Sequence, residues 1–338
     1  MKKLKRSKIA LSSFLVAGIL MVSCSSNRTG QIVVYNGQHL ELTQALVSSF
    51  EKSTGISVKL ETNSSVVLAD QLLEEGSHTR ADVIFLENSP EMMLVEQHNL
   101  LRKLSQSTLA QIPSKYSSPQ GDWVGVALRV SCLAYNPSLI ASSALPTSLL
   151  DLAKPYWKGK LALAPSDPDF LPLVGAIARS YSVQQATAWL NGLRSNGSLY
   201  QSDEAALAAV NQGRSAIGII NQYYWYRLRL QDGPSRMHSK LYFFPNENVG
   251  SLENISPIAI SRYTSNYEAS IKFVNFVISH KGESLLARSD DYEYPARVGV
   301  NPNSLLEPLS RVSPDLLSVV QLGNDKLAAK LVSQAGLL

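Results

Sequence analysis

The sequence has few of the residues that build disulfide, zinc or hydrolase sites. Its 338 residues include only two cysteines and five histidines, and no Cys/His spacing resembles a zinc site. There is no Gly-x-Ser-x-Gly, no His-Glu-x-x-His and no phosphate-cradling glycine loop. These absences argue against an enzyme, and the chain also shows no low-complexity tract and no internal repeat.

The N-terminus indicates the compartment. Five basic residues precede an apolar stretch over residues 9–22, and its 14 residues fall short of the ~20 that span a bilayer. We therefore predict an export signal over residues 1–23. Ser23 followed by Cys24 resembles a bacterial lipobox, which would make Cys24 the lipidated first residue of a tether over residues 24–30. The alternative is a plain signal peptide with a chance cysteine.

Neither charge sign dominates once the leader is set aside. The formal net charge of +4 includes the five basic residues of the leader, so the exported chain carries about −1. We therefore predict no nucleic-acid partner. Cys132 is then the only cysteine besides Cys24, and its apolar neighbours indicate a small core residue.

Strand and helix patterns alternate along the chain. In the first hundred residues they predict strands at 31–35, 56–60 and 81–86, and helices at 40–54, 66–73 and 90–97. A long strand-like stretch at 123–136 leads to a second α/β unit, with strands at 161–164 and 216–220 and helices at 183–193 and 204–210. Further strands are predicted at 241–244 and 255–260. A helix at 266–279 is expected to end at His280, and Ser313 and Pro314 are expected to begin a helical tail.

These patterns predict an α/β protein with the two-lobe fold of class II periplasmic binding proteins. Each lobe would hold a mixed sheet flanked by helices, and two strands would form the hinge. The expected division is an N-terminal lobe (31–127 and 256–300), a C-terminal lobe (128–255) and C-terminal helices (301–338) that pack on the C-terminal lobe. Such proteins hold a ligand between their lobes and close by a hinge motion.

Four side chains could supply a metal site. His39, Glu87 and the pair Tyr223 and Tyr224 each follow one of three predicted strands, at the ends where open α/β sheets place ligand sites. Neighbouring residues diverge on strands and helices, so a turn between the tyrosines is one place where their phenols could meet. Taken singly, a loop histidine is usually solvated, a glutamate after a strand often caps a helix, and paired tyrosines can be ordinary.

The charges of these groups match a trivalent cation. One carboxylate and two phenolates sum to −3, and a neutral imidazole adds a fourth donor. Tyrosine normally titrates near pH ~10, so two phenolates need a strong cation, and oxygen-rich sites suit hard metals. Four protein donors leave an octahedral ion two positions for water or a small anion.

Several motifs together carry a family resemblance that covers residues 31–338. They are Val34-Tyr35-Asn36-Gly37-Gln38-His39, Ala81-Asp82-Val83 leading to Glu87, Ile220-Asn221-Gln222-Tyr223-Tyr224-Trp225, Glu293-Tyr294-Pro295 and Gln334-Ala335-Gly336. On these residues the chain resembles the bacterial ferric-ion-binding proteins of iron ABC importers. The resemblance implies iron(III) as cargo, His39 and Glu87 as ligands from the first lobe, and Tyr223 and Tyr224 from the second. It also implies an iron ABC transporter permease as partner. With the lipobox-like segment, we expect a monomer that is anchored by lipid in the cell envelope.

The chain departs from that family where many members hold a phosphate or carbonate on the metal. The matching segment here contains Asp167 and Asp169, and Asp203 stands where an asparagine is usual. Acidic side chains repel an anion, and the proline between the first two lacks an N–H. We therefore expect a weak or absent synergistic anion, with water or one of these aspartates completing the shell. Asn88 and Asn221 are candidate partners beside the ligands. The alternative is that the aspartates cap helices or form turns.

Two other functions remain open at this point. The same architecture could bind another metal or an organic cation such as thiamine, with Tyr223, Tyr224 and Trp225 as a cation–π box. That alternative does not explain His39 and Glu87 at matching strand ends. A lipid-anchored hydrolase is the remote alternative.

Overall fold

The computed structural model describes residues 30–245, 249–312, 317 and 322–338. The predicted export signal, Cys24, all but the last residue of the tether, and the Ser313–Pro314 helix start therefore lie outside the described residues. Among the helices that are described, none is both long and apolar enough to cross a membrane.

Eleven strands are described. They are β1 (Ile32–Asn36), β2 (Val58–Thr62), β3 (Val83–Phe85), β4 (Leu101–Arg102), β5 (Trp123–Tyr135), β6 (Leu161–Leu163), β7 (Gly197–Leu199), β8 (Ile217–Asn221), β9 (Lys240–Tyr242), β10 (Glu253–Ser261) and β11 (Tyr294–Pro295).

The α-helices of the described ranges flank these strands. They are α1 (Leu40–Thr54), α2 (Ser65–Glu75), α3 (Ser89–Gln97), α4 (Gln106–Leu109), α5 (Phe170–Ser180), α6 (Val183–Asn196), α7 (Asp203–Asn211), α8 (Gln222–Asp232), α9 (Tyr267–Val277), α10 (His280–Ala287), α11 (Leu309–Val312) and α12 (Lys326–Gln334).

Two mixed sheets share the long strand β5. The first has the order β2-β1-β3-β10-β5, and the second continues as β5-β8-β6-β7. β5 pairs with β10 through Val130 and with β8 from Ser131 onward, so it changes partner between these two residues. All thirteen of its residues are buried. We call the layers around these two sheets the first and second lobes.

Local signals explain several of the helix boundaries. The predicted helix at 40–54 is confirmed, and it ends where Gly55 adopts a left-handed conformation with φ of 71°. The helix predicted at 266–279 is observed as α9 and ends before His280, but residues 280–282 do not act as its stop. They begin α10, where Ser279 Oγ accepts the N–H of Gly282. Helix α5 was not predicted, since Pro172 masks it in the sequence; in its first turn a proline is tolerated.

The fold brings strand ends and helix starts together. β1 and β3 are parallel neighbours in the first sheet, and each leads into a helix. β6 and β8 are parallel neighbours in the second sheet and lead into α5 and α8. Helix starts from both lobes therefore face the region between the sheets, where N–H groups and polar side chains collect.

Candidate metal centre

The four predicted ligands all lie where a strand gives way to a helix. His39 is the residue that precedes α1, and Glu87 precedes Asn88, the N-cap residue of α3. Tyr223 and Tyr224 do not flank a turn, as the sequence suggested, but occupy the first turn of α8. Their rings nevertheless lie side by side, with centroids 4.0 Å apart and planes tilted by 31°.

Glu87 stands at the centre of this group. Its Oε1 lies 3.3 Å from the Tyr223 hydroxyl and 3.6 Å from His39 Nε2. The rings of His39 and Tyr223 lie 5.1 Å apart. Neighbouring donors around an octahedral ion with bonds of about 2.1 Å stand about 3 Å apart, so these separations are close to those of a shared ligand shell. The fold thus unites His39, Glu87 and Tyr223 directly, and Tyr224 through its ring.

Two serines clamp the main chain at Glu87. Its N–H donates to Ser65 Oγ at 2.9 Å, and its carbonyl accepts from Ser256 Oγ at 3.0 Å. Gly37 makes the first contact possible, because a Cβ there would lie 2.6 Å from Ser65 Oγ. The main chain that carries the Glu87 side chain is therefore held on both sides of this residue.

Burial sets the protonation of these groups. It raises the pKa of Tyr223 and of Tyr224 well above the ordinary value, with nearby negative groups acting in the same direction. It also raises the pKa of Glu87 to about 8, although Arg129 opposes that shift. For His39, burial followed by the charge of Arg129 lowers the pKa to about 3. The imidazole is therefore neutral at pH 7 and has a lone pair for a metal.

The three aspartates form a buried cluster in the second lobe. One oxygen of each of Asp167, Asp169 and Asp203 lies within 4.8 Å of the others. The N–H groups of Asp169 and Asp203 donate to Asp167 at 3.1 and 3.0 Å, and the N–H of Asn221 donates to Asp203 at 3.3 Å. These N–H groups stand at the starts of α5, α7 and α8. Helix starts attract anions, and here the chain's own carboxylates already take these donors.

The capping alternative applies to part of this cluster. Asp167 accepts one backbone N–H at the start of α5 and one at the start of α7. The N-cap residue of α7 is nevertheless Ser202, whose side chain accepts a further N–H of that helix. Asp169 precedes α5 without capping it and turns toward the tyrosines instead. Its Oδ2 lies 3.5 Å from the Tyr223 hydroxyl. Asp169 is therefore the aspartate that reaches the candidate ligands.

Arg129 is a site residue that the sequence did not single out. It is completely buried on β5. Its guanidinium donates to acceptors from both lobes: Asn88 Oδ1 at 2.6 Å, Ser256 Oγ at 2.8 Å, and Asp169 Oδ1 and Glu293 Oε1 at 3.2 Å each. A charged residue in the middle of a buried apolar strand was the available signal, because a buried charge needs partners.

Both candidate asparagines are buried beside the ligands. Asn88 precedes α3, and its side-chain oxygen accepts from Arg129. Asn221 precedes α8, and its side-chain oxygen accepts from Ser131 and Asn254. Their amide nitrogens have no hydrogen-bond partner. Buried donors of this kind are normally satisfied, so these two are available to a ligand or an ordered water.

Comparison with known proteins gives a family match. The model of the family described as bacterial extracellular solute-binding protein matches residues 79–314. The "Fe(3+)-binding periplasmic protein" of Serratia marcescens is 33% identical over 338 residues, covering 99% of this chain and 100% of that protein. The "Major ferric iron-binding protein" of Neisseria meningitidis serogroup B is 33% identical over 308 residues, covering 90% of this chain and 93% of that protein.

A solved structure agrees with these sequence matches. Iron-bound HitA from Pseudomonas aeruginosa superposes with a TM-score of 0.86 at 34% identity, covering 90% of this chain and 99% of that one. The predicted two-lobe binding-protein fold is confirmed.

Proposed function

Because the chain belongs to the bacterial extracellular solute-binding proteins, we propose that it binds iron(III) between its lobes and delivers it to an ABC importer. One observation carries the proposal: an imidazole, a carboxylate and a phenol from three separate strand ends lie within 3.6 Å of their neighbours. The similar proteins named for ferric iron support the choice of metal. Iron would favour the closed form, because only that form presents ligands from both lobes.

Five side chains would hold the metal. They are His39, Glu87, Asp169, Tyr223 and Tyr224. Glu87 and the two phenolates match the charge of iron(III), and the charge of Arg129 offsets that of Asp169. Asn88, Asn221, Asp167 and Asp203 would lie behind these ligands. A synergistic anion has little place here, since the helix-start donors are taken and the cluster is acidic.

The organic-cation alternative finds less support. A cation–π box would need Trp225 to face the same space as Tyr223 and Tyr224. The indole instead donates to Ser239 O at 3.2 Å and packs edge-on against Tyr226, at a centroid distance of 5.2 Å. A neutral histidine and a carboxylate complete the tyrosine site better than a third aromatic ring.

The remaining parts of the proposal concern location and organisation. The chain would be a monomer, exported by residues 1–23, lipidated on Cys24 and tethered by residues 24–30 at the outer face of the cytoplasmic membrane or in the periplasm. Its lobes would comprise residues 31–127 with 256–300, and residues 128–255. Residues 301–338 would pack on the second lobe; the packing of α12 against α5 and α6 supports this.

The ligand assignment is tested by removing both phenols. We expect the double variant Tyr223→Phe/Tyr224→Phe to lose tight iron(III) binding and the visible phenolate-to-iron colour. Tyr226→Phe is the matched control, because Tyr226 is a buried tyrosine of the same helix whose ring stacks on Tyr292 and which is not among the proposed ligands. A double variant that keeps both colour and affinity would reject the site.

The anion claim has its own test. Iron(III) affinity of the unaltered protein is measured by competition with a chelator, with and without phosphate. We expect the two affinities to agree closely, because Asp169 supplies the fifth donor and water completes the shell. A large gain with phosphate would show that an external anion is required.

A further inference from the structure

The two ring nitrogens of His39 face different groups. Nε2 lies toward Glu87, whereas Nδ1 lies 3.5 Å from Asp291 Oδ1 and 3.9 Å from Glu293 Oε1. Nδ1 is buried and has no hydrogen-bond partner at these distances. A neutral imidazole carries one proton, so the group next to Nδ1 decides which nitrogen is left with its lone pair.

Of the two carboxylates near Nδ1, that of Asp291 is the closer, and among the described residues it has no guanidinium within hydrogen-bonding distance. Glu293 accepts from Gln38 Nε2 at 3.1 Å and from Arg129 at 3.2 Å. Asp291 Oδ1 lies 4.0 Å from a guanidinium nitrogen of Arg227, beyond hydrogen-bonding distance. At 3.5 Å, Nδ1 of His39 lies only a few tenths of an ångström beyond the usual hydrogen-bonding distance from Asp291 Oδ1.

We propose that Asp291 is a positioning residue that accepts the Nδ1 proton of His39 and so keeps Nε2 free to bind the metal. The inference rests on the proposed role of His39 as a ligand. Histidines that bind metals commonly donate their second nitrogen to a carboxylate, which fixes the tautomer and the ring orientation and raises the basicity of the ligand.

Contacts of the next residue tie this carboxylate to the helix that bears the tyrosines. Gln222, the first residue of α8, donates from Nε2 to the carbonyl of Tyr292 at 3.0 Å. The ring centroids of Tyr292 and Tyr226 lie 5.4 Å apart in a stacked arrangement. The backbone of Tyr292 has a φ of 53°, which is unusual for a residue other than glycine. Asp291 therefore lies in a segment of the first lobe that also contacts α8 of the second lobe through Tyr292. The orientation of His39 thus depends on how the two lobes meet.

A double-mutant cycle tests the role of Asp291. Iron(III) affinity is measured by citrate competition for the unaltered protein, Asp291→Ala, His39→Ala and the double variant. We expect Asp291→Ala to weaken binding about tenfold or more in the unaltered background, as removal of such partners commonly does. In the His39→Ala background it should change affinity less than about twofold, because the group through which it acts is gone.

Asp290→Ala is the matched control, since Asp290 is the exposed neighbouring aspartate and should leave affinity unchanged. Equal losses from Asp291→Ala in both backgrounds would overturn the inference and leave the iron site intact. If His39→Ala itself left the affinity unchanged, the proposed ligand set would fail instead.

A measurement without metal gives a second readout. ¹⁵N NMR of the histidine rings reports the tautomer, and the His39→Ala spectrum identifies the signal. We expect His39 to carry its proton on Nδ1 in the metal-free protein and to lose that preference in Asp291→Ala. A ring that is protonated on Nε2 in the unaltered protein would overturn the inference.

Discussion

At the scale of single residues, the site differs from an anion-binding pocket by three aspartates. The starts of α5, α7 and α8 would attract a phosphate or carbonate if their N–H groups were free. Asp167 and Asp203 already accept three of these donors. Asp169 is left to face Tyr223 and Arg129. In the proposed site, Asp169 would thus supply a carboxylate where an external anion would otherwise bind.

The variant Asp169→Asn tests whether the Asp169 carboxylate takes the place of an external anion on the metal. We expect iron(III) affinity to fall at least about tenfold, because a charged donor is replaced by a neutral amide beside a trivalent ion. The measurement is chelator competition, repeated with phosphate, which should restore part of the loss. Glu204→Gln is the control, since Glu204 is an exposed acid close to the same cluster. Unchanged affinity in Asp169→Asn would exclude this residue as a ligand.

Proton release on iron binding follows from the pKa values of the ligands. At pH 7 both buried phenols are protonated, and Glu87, with a pKa of about 8, is mostly protonated. His39 is neutral and loses no proton. Iron should therefore release about three protons at pH 7 and about two at pH 9, so that affinity falls as pH falls.

The count is made by titrating a weakly buffered protein with a ferric chelate and correcting for the chelator. Glu87→Gln should release about two protons at both pH values. Equal release at pH 7 and pH 9 by the unaltered protein would contradict the shift of Glu87.

The sequence predicted the convergence of the candidate ligands better than the residues that support them. His39, Glu87 and the tyrosines follow strands, and strand ends of an α/β sheet meet at a common edge, so their convergence could be predicted. The contacts of Arg129 with Asp169 and Glu293 span 40 and 164 residues. No local pattern encodes such pairs, because they depend on how β5 is placed between the lobes.

At the scale of helices and strands, the predictions were correct where a local sequence signal marks the end of an element. Helix α1 has an apolar face and a glycine stop, so both its existence and its bounds were evident. At residues 278–282 two helices follow each other closely, and the serine cap of the second was masked by the expected end of the first. The helical position of Tyr223 and Tyr224 was missed because the strand β8 runs directly into α8.

Two glycine substitutions separate close packing from helix propensity. Gly37→Ala should destabilise the metal-free protein by about 1–3 kcal/mol, because the new methyl group would overlap Ser65. It should also weaken iron binding, since Ser65 holds the N–H of Glu87. Gly175→Ala, inside α5 with no neighbour closer than 3.9 Å, should stabilise by about 0.5–1 kcal/mol.

Urea unfolding of both variants without metal gives these free energies. If Gly37→Ala leaves the free energy of unfolding unchanged, α2 can move away from β1 without destabilising the protein. In that case the clamp on Glu87 would not be rigid.

At the scale of the whole molecule, the proposed metal site lies where the lobes meet. Glu87 and His39 belong to the first lobe, and Tyr223 and Asp169 to the second. Their like charges and raised pKa values make a closed, metal-free site costly unless protons or a cation are present. Closure should therefore be coupled to iron, with β5 and β10 as the strands that carry the motion.

Small-angle X-ray scattering can test this coupling. A compact chain of this length has a radius of gyration of about 20 Å, and the iron-loaded protein should approach that value. The metal-free protein should be larger, because the acidic groups of the two lobes repel each other when no cation lies between them. Tyr223→Phe/Tyr224→Phe should stay open when iron is added, whereas Tyr226→Phe should close. If the unaltered protein has the same radius of gyration with and without iron, the metal does not drive closure. The ligands from the two lobes would then bind iron without changing how the lobes are arranged.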